Sequence, residues 1–198
     1  MNSRLSAAVV FAASLILPTL SLANDYKVDA DHTSVTFRIR HLFSYVEGRF
    51  DKFEGNIKFD ADNPDRTVID GFIDVASINT NVEERDTHLR GKDFFHVEEF
   101  PKIEFKSSKV TDLGADKKSG KLHGTLKIHG VEKPVVLDVQ FLGEGADPWG
   151  NKVAGFSATA KLNRKDFGLE WNETLETGGV LVGDEVKIQL DVEGILSE

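Results

Sequence analysis

The sequence predicts an all-β protein, built as an antiparallel sandwich or a closed barrel with one helical insert. Apolar and polar residues alternate along most of the chain, as they do at Val35, Phe37 and Ile39. Alternation of this kind is typical of strands that bury one face and expose the other. Turn-forming residues separate these stretches at the spacing of hairpins, as at residues 63–65. Residues 76–100 are the long stretch that departs from the pattern.

The inward-facing residues of the strands also indicate how the interior is filled. We count roughly eight or nine amphipathic strands, and the alternation changes phase between Phe50 and Phe53, which predicts a bulge or a bend at residues 51–52. Small residues share the inward phase with large apolar ones, at Gly55, Gly71, Gly124, Ala154, Ala158 and Ala160. Such a face either packs tightly or leaves room for a guest, since a small barrel of about eight strands can hold one ligand. Alternation alone does not separate a sandwich from a barrel.

Within residues 76–100, which depart from the alternation, the sequence predicts a short helix over residues 82–90. Asn81 is a candidate N-cap, because Glu84 stands three residues later at the spacing of a capping box. Gly91 follows as a stop signal. The insert is therefore a helix inside a long connection between strands.

Three phenylalanines follow the predicted helix, at Phe94, Phe95 and Phe100. Exposed phenylalanines at this density would be costly, so we expect them to cover an apolar region. Two interpretations stay open. The rings form a lid over one mouth of the barrel that moves to admit a ligand, or they form a fixed plug that closes the core.

Composition excludes several classes of function. The 198-residue chain has a formal net charge of −9 and a pI near 5.2, which argues against nucleic acid and against electrostatic docking on anionic lipid. It contains no cysteine, which excludes disulfides, thiolate catalysis and cysteine metal sites. None of its six histidines forms an HxH or HExxH pair, so we predict no metal site and no cofactor.

The N-terminus predicts a secretory signal peptide over residues 1–23. Arg4 supplies a positive charge, and the apolar run at residues 7–17 is shorter than the roughly 20 residues that span a bilayer. Residues 21–23 fit the small-x-small cleavage pattern. We therefore expect cleavage near Ala23, export, and one mature domain over residues 24–198.

Several motifs, in order along the mature chain, resemble the YceI-like family of periplasmic, lipocalin-like proteins that bind polyisoprenoid and related long-chain lipids. The matching stretches include Asp31-His32-Thr33-Ser34-Val35, Val46-Glu47-Gly48-Arg49-Phe50, Ser77-Ile78-Asn79-Thr80, Glu84-Arg85-Asp86-Thr87-His88-Leu89-Arg90, Asp93-Phe94-Phe95 and Asn163-Arg164-Lys165-Asp166-Phe167-Gly168. The resemblance implies an eight-stranded antiparallel barrel with an elongated apolar cavity and a helical insert near residues 82–95. It also implies a periplasmic location, and it transfers no catalytic motif.

The apolar residues of the inward phase are the ligand-binding candidates: Phe37, Ile39, Phe53, Ile57, Phe59, Phe105, Leu126, Phe141 and Phe156, with Phe94 and Phe95 from the insert. A prenyl or acyl chain has little to hydrogen-bond, so its affinity must come from buried apolar area, about 0.8 kcal/mol per CH2. The alternative is that these residues pack on one another as ordinary core.

Arg85, Asp86 and Arg90 form the sharpest polar cluster. Asp86 and Arg90 stand four residues apart and are expected to pair on the helix surface. An arginine here would suit a lipid phosphate. The alternative is that Arg85 and Asp86 anchor the insert to the barrel.

The leading hypothesis is a carrier or store for a polyisoprenoid or similar long-chain amphiphile, such as a polyprenyl phosphate or a quinone-like lipid. One alternative is an enzyme that acts on such a lipid in the same cavity, although the sequence has no GxSxG elbow, thiol or metal motif. Another is a fully packed barrel that acts as a stress-response protein. An inner-membrane protein that hands over the lipid, and a second copy of the chain, stay open as further partners.

Overall fold

The structure is a computed structural model that describes residues 23–175 and 178–197. The predicted signal peptide therefore lies outside the described residues except for Ala23. The described chain contains eleven strands, one α-helix and three short 3-10 helices. The strands are β1 (Asn24–Val28), β2 (Ser34–His41), β3 (Ser44–Phe50), β4 (Phe53–Phe59), β5 (Val68–Asp74), β6 (Ile78–Asn79), β7 (Lys102–Thr111), β8 (Ser119–Ile128), β9 (Val131–Ala146), β10 (Lys152–Asn163) and β11 (Val182–Leu196). The helix α1 spans Glu83–Arg90, and the 3-10 helices span Pro64–Arg66, Val75–Ser77 and Arg164–Phe167.

Eight of these strands close into an antiparallel barrel in the order β1, β4, β5, β7, β8, β9, β10, β11, and β11 pairs back with β1. Strand β11 has two partners along one edge, because β1 pairs with its last residues and β2 pairs with its first part. Strands β3 and β6 extend the sheet beyond β2. The predicted eight-stranded antiparallel barrel is confirmed.

The predicted bend at residues 51–52 is also confirmed, since β3 ends at Phe50 and β4 begins at Phe53. Before the bend the chain pairs with β2 and β6, and after it the chain pairs with β1 and β5. Residues 29–33 separate β1 from β2 in a similar way. Through these two bends, β2 follows β1 along β11, and β3 pairs with β2 as β4 pairs with β1, so both parts of each bent stretch belong to the same sheet.

The barrel has two different ends. Residues 75–101, 164–175 and 178–181 cross one end, which we call the helix end, and the turns at residues 112–118 and 147–151 lie at the other, the hairpin end. A cluster of buried apolar residues occupies the helix end: Val35, Phe50, Val75, Ile78, Ile103, Ile128, Phe167 and Leu169. A smaller cluster occupies the hairpin end: Tyr26, Ile57, Phe59 and Ala154. No helix in the described ranges is long and apolar enough to cross a membrane.

Helix α1 lies where the sequence predicts a helix, but the predicted N-cap at Asn81 is wrong. Val82 occupies the cap position and makes no side-chain cap hydrogen bond. Asn81 instead has a left-handed φ of 63°, and its backbone N–H donates to Asn79 Oδ1 at 2.9 Å. Gly91 follows the helix as predicted, in an extended conformation.

Gly124 on β8 is a place where the barrel wall depends on glycine. A Cβ atom there would lie 2.5 Å from two ring carbons of Phe105 and 2.6 Å from the carbonyl oxygen of Lys106. We expect Gly124→Ala to lower the free energy of unfolding by about 1–3 kcal/mol through overpacking, as measured by urea denaturation. Gly155→Ala is the matched control, because its Cβ would meet nothing closer than 3.6 Å. Equal losses in the two variants would contradict this account.

Candidate functional site

A cavity of about 810 Å³ extends through the barrel from the helix end to the hairpin end. Its volume falls in the range of about 300–1,000 Å³ that is usual for ligand pockets. The protein's own side chains therefore leave the barrel interior partly empty, whereas they would fill the interior of a packed barrel. All eleven apolar candidates border the cavity: Phe37, Ile39, Phe53, Ile57, Phe59, Phe94, Phe95, Phe105, Leu126, Phe141 and Phe156.

Part of this space exists because several inward-facing residues are small. Ala158 and Ala160 on β10 border the cavity, as do Gly55 and Gly71, whereas the outward Thr159 between the two alanines is exposed. The other two small positions are taken up by packing. The ring of Phe105 covers Gly124, and Ala154 is fully buried in the hairpin-end cluster.

Aromatic rings gather toward the two ends of the cavity. At the hairpin end, Phe59 lies 4.7 Å from Phe141 and 5.0 Å from Phe156, measured between ring centroids. At the helix end, Phe50 lies 5.7 Å from Phe37 and 6.2 Å from Phe95. These are ordinary distances for tilted and edge-to-face contacts, so the rings stabilise the ends while leaving a space between them.

The insert closes the helix end with aromatic contacts to the segment after β10. The buried Phe94 ring lies 5.1 Å from Trp171 and 5.0 Å from His88, and His88 lies 4.9 Å from Trp171. Trp171 also borders the cavity. Phe100 does not border it, because its ring packs 4.5 Å from His129 instead. The aromatic cover over the cavity therefore consists of Phe94, Phe95 and Trp171.

Arg85 is the member of the polar cluster that borders the cavity. Its Nε donates to Thr80 Oγ1 at 2.7 Å, and its Nη2 donates to the carbonyl oxygen of Thr80 at 2.8 Å. The guanidinium is half-buried and forms no ion pair with a carboxylate among the described residues. It is thus a cation held in place beside an apolar cavity.

The predicted ion pair between Asp86 and Arg90 is wrong. Asp86 is 4% exposed and accepts hydrogen bonds from the backbone N–H and the hydroxyl of Thr80. Arg90 donates to the carbonyl oxygens of Ala76 at 3.0 Å and Ile78 at 3.1 Å. The turn before the helix brings Thr80 onto the carboxylate, which spacing along the helix does not reveal. Both side chains anchor the insert, and neither borders the cavity.

Arg164 is a structural residue that the sequence analysis misses. It is 4% exposed and borders the cavity at the helix end. It donates to the carbonyl oxygens of Gly183, Leu169 and Trp171, and so ties residues 164–171 to the start of β11. Burial lowers the pKa of its guanidinium, and the Asp184 carboxylate 3.6 Å away opposes this shift. The sequence places Arg164 in a family motif, but its hydrogen bonds depend on the path of the crossing segment, which the sequence does not reveal.

The hairpin end has its own polar border, made by Lys117, Lys118, Ser119 and Gln140. The sequence analysis does not single out these residues, because lysines in a turn are ordinary surface residues. Pairing of β8 with β9 places Ser119 beside Gln140 at this end. Each end of the cavity therefore carries polar groups beside its aromatic rings, and its middle is apolar.

The carboxylates and histidines that border the cavity are not buried. Glu54, Asp70, Glu84 and His88 border it but are exposed, and His41 is half-buried. A general acid or base works best with a pKa tuned by burial or by a charged neighbour. Among the described residues, no carboxylate or histidine that borders the cavity is buried.

One group of histidine and carboxylates in the described ranges has ligand atoms within 4.8 Å of one another, formed by Asp29, His32 and Glu193. It lies at the bend between β1 and β2, away from the cavity. His32 Nδ1 donates to Asp29 Oδ2 at 2.7 Å and lies 3.7 Å from Glu193 Oε1. The group links the bend to β11 as an ion pair whenever the imidazole is protonated.

This ion pair predicts a pH dependence. The hydrogen bond to Asp29, followed by the charge of Asp29, raises the pKa of His32 above its usual 6.5. Its contribution to stability is therefore fully present below pH 6.5 and disappears as the pH rises through the raised pKa. In NMR titrations, Asp29→Asn should return the pKa of His32 toward 6.5. Asp31→Asn, which removes a charge of minor influence, should change it less. An unchanged pKa in Asp29→Asn would contradict the assignment.

Comparisons place this architecture among known proteins. A YceI-like domain matches residues 26–194. UPF0312 proteins of Pseudomonas aeruginosa and a Shewanella species are 37% and 36% identical over 98% of this chain and 99% of their own. Burkholderia cenocepacia BcnA matches with a TM-score of 0.74 at 26% identity, covering 84% of this chain and 98% of that one.

Two further solved structures share the fold. The Campylobacter jejuni YCEI protein matches with a TM-score of 0.69 at 32% identity, covering 81% of this chain and 91% of that one. A polyisoprenoid-binding domain from Saccharophagus degradans matches with a TM-score of 0.61 at 18% identity, over 89% of this chain and all of that one, which shows a common fold. The motifs, the closed barrel and these matches agree that the chain belongs to the YceI-like family.

Proposed function

We propose that this protein binds and carries one polyisoprenoid or similar long-chain amphiphilic lipid inside the barrel. The observation that carries the proposal is the cavity of about 810 Å³, apolar in its middle and lined at each end by aromatic rings with polar groups beside them. Such a lining suits a hydrocarbon chain, since burial stabilises each CH2 by about 0.8 kcal/mol without hydrogen bonds. The ligand-binding description of the Saccharophagus degradans domain supports the same class of ligand.

The carrier works in the periplasm in this proposal, after export and cleavage near Ala23. The signal-like sequence of residues 1–23 supports this location. The protein shields the lipid from water and performs no chemistry on it. The exposure of Glu54, Asp70, Glu84 and His88 favours carriage over catalysis, because exposed groups lack the desolvation that tunes a general acid or base.

Mass spectrometry of an organic extract tests the proposal directly. Protein purified from its own periplasm should release one long-chain lipid in stoichiometric amount. Protein unfolded, freed of lipid and refolded should take up a prenol such as farnesol or geranylgeraniol at micromolar concentration. An empty extract together with failure of the refolded protein to take up any prenol or fatty acid would overturn the proposal.

Arg85 carries a prediction about the head group. We expect Arg85→Met to weaken the binding of farnesyl phosphate by about 10- to 150-fold relative to farnesol, since a charge-assisted hydrogen bond contributes about 1.5–3 kcal/mol. Arg90→Met is the matched control, because Arg90 also anchors the insert but does not border the cavity. Isothermal titration of both ligands gives the ratio. Equal ratios in the two variants would show that Arg85 has an anchoring role alone.

A further inference from the structure

The turn between β2 and β3 carries apolar residues where a turn of this kind favours asparagine and glycine. Leu42 and Phe43 are its two residues, between the paired His41 and Ser44, and Leu42 has a left-handed φ of 50°. Two-residue hairpin turns prefer Asn-Gly, because a residue with a bulky side chain is strained at positive φ. The Phe43 side chain is fully exposed. The turn therefore keeps two apolar side chains at a cost to its own stability.

An isolated exposed apolar side chain is ordinary at a protein surface, but this turn lies at the helix-end mouth of the cavity. The backbone N–H of Leu42 donates to the carbonyl oxygen of Leu181 at 2.9 Å, and Leu181 borders the cavity. Val180, which precedes it, is 38% exposed, and Val82, which borders the cavity from the insert, is 45% exposed. Phe43 itself does not border the cavity. The turn is thus an apolar projection beside the mouth.

Behind the turn, the outer face of the hairpin carries an aromatic and cationic layer. Strand pairing places Tyr45 beside Arg40, and Cζ of Arg38 lies 4.1 Å from the centroid of the Tyr45 ring. Tyr45 follows Phe43 by two residues, which is about 7 Å along a strand. The polar layer on each side of a bilayer is about 5–8 Å thick. Tyrosine and arginine are typical of this layer, whereas phenylalanine enters the hydrocarbon boundary beneath it.

We propose, on the basis of the proposed function, that the helix end docks on the surface of a lipid bilayer by inserting the β2–β3 turn. Phe43 enters the outermost hydrocarbon, while Tyr45 and the arginines beside it lie among the head groups. Arg85 borders the cavity at the same end. A lipid that enters the barrel tail first therefore leaves its head group beside this cation and near the bilayer. The formal net charge of −9 opposes attraction to anionic lipid, so docking depends on apolar insertion.

Cosedimentation of lipid-free, refolded protein with phosphatidylcholine vesicles tests this docking. Phe43→Ser should weaken vesicle binding by at least about tenfold, since it removes an apolar side chain from the bilayer. Phe43→Leu should retain most of the binding. Trp149→Ser is the matched control and should leave binding unchanged, because Trp149 is 77% exposed on the turn between β9 and β10 at the hairpin end. Binding of the natural protein should persist in about 1 M salt, which screens surface charges.

A double variant separates docking from folding. Leu42→Asn combined with Phe43→Gly installs the preferred turn sequence. It should unfold at an equal or higher urea concentration than the natural protein and should lose vesicle binding. Vesicle binding that survives the double substitution would overturn the proposal. Loss of binding in Trp149→Ser but not in Phe43→Ser would also overturn it, and would assign docking to the hairpin end.

Prenol binding separates a failure of docking from a failure of the proposed function. Because Phe43 does not border the cavity, Phe43→Ser should bind geranylgeraniol from solution as tightly as the natural protein does. It should extract the same prenol from vesicles about tenfold more slowly. Natural protein that binds the prenol but not the vesicles would overturn bilayer docking, leave lipid carriage standing and assign the exposed turn to a protein partner. Failure of the natural protein to take up the prenol from solution would overturn the proposed function instead.

Discussion

Arg164→Met is expected to lower the free energy of unfolding by about 3–5 kcal/mol, a large share of the stability of a domain. The variant removes the donors that serve the carbonyl oxygens of Gly183, Leu169 and Trp171. Leu169 and Trp171 belong to the crossing segment and Gly183 lies at the start of β11, and a buried acceptor left without a donor costs about 1–3 kcal/mol. Urea denaturation followed by tryptophan fluorescence measures the loss.

Lys165→Met is the matched control for this result. Lys165 Nζ lies 3.1 Å from Asp184 Oδ2, so it shares the acidic partner of Arg164, but its side chain is 43% exposed. Exposed ion pairs contribute about 0–1 kcal/mol, and we expect a loss within that range. Equal losses of stability in the two variants would show that pairing with Asp184 stabilises the fold and that the hydrogen bonds from Arg164 to backbone carbonyls do not.

Ala160→Asp is expected to reduce the affinity for a prenol by at least about 100-fold while the barrel stays folded. The new carboxylate faces the apolar middle of the cavity. It is hydrated while the cavity is empty, and it must lose this water when a lipid chain enters. Burying an unpaired charge in this way costs several kcal/mol. Binding of geranylgeraniol to refolded protein measures the effect.

Thr159→Asp provides the control, since it adds the same charge on the exposed face of the same strand. We expect its prenol affinity to remain within about threefold of the natural protein, because the added charge stays in water. Circular dichroism confirms the fold of both variants. Equal affinity of Ala160→Asp and Thr159→Asp would show that the chain does not pass through the middle of the barrel.

The sequence predicts the cavity wall well because one rule governs it. In a closed sheet every second residue faces the interior, so the phase of Phe37, Phe105 or Phe156 is enough to place it. The aromatic pair Phe94 and Phe95 is also predictable, because neither ring could remain in water without cost. Whether these residues touch a ligand is a separate question, which the binding experiments address.

The polar residues are less predictable because their partners come from distant parts of the chain or from irregular turns. Asp86 has an obvious helical neighbour in Arg90, yet it accepts from Thr80, which a left-handed Asn81 turns toward it. Arg164 depends on the path of a crossing segment rather than on any local pattern. Spacing rules describe regular elements, and both residues act where regular structure ends.

The double pairing of β11 has a consequence for folding. A chain that emerges from the ribosome with its N-terminus first cannot close the barrel until β11 is available to join β10 to β1 and β2. Until then the earlier strands form an open sheet whose unpaired edges invite association with other chains. Closure over this sequence distance is also slow, because loop entropy is lost before contacts form. We therefore expect the nascent chain to need protection by a chaperone until its last strand is free.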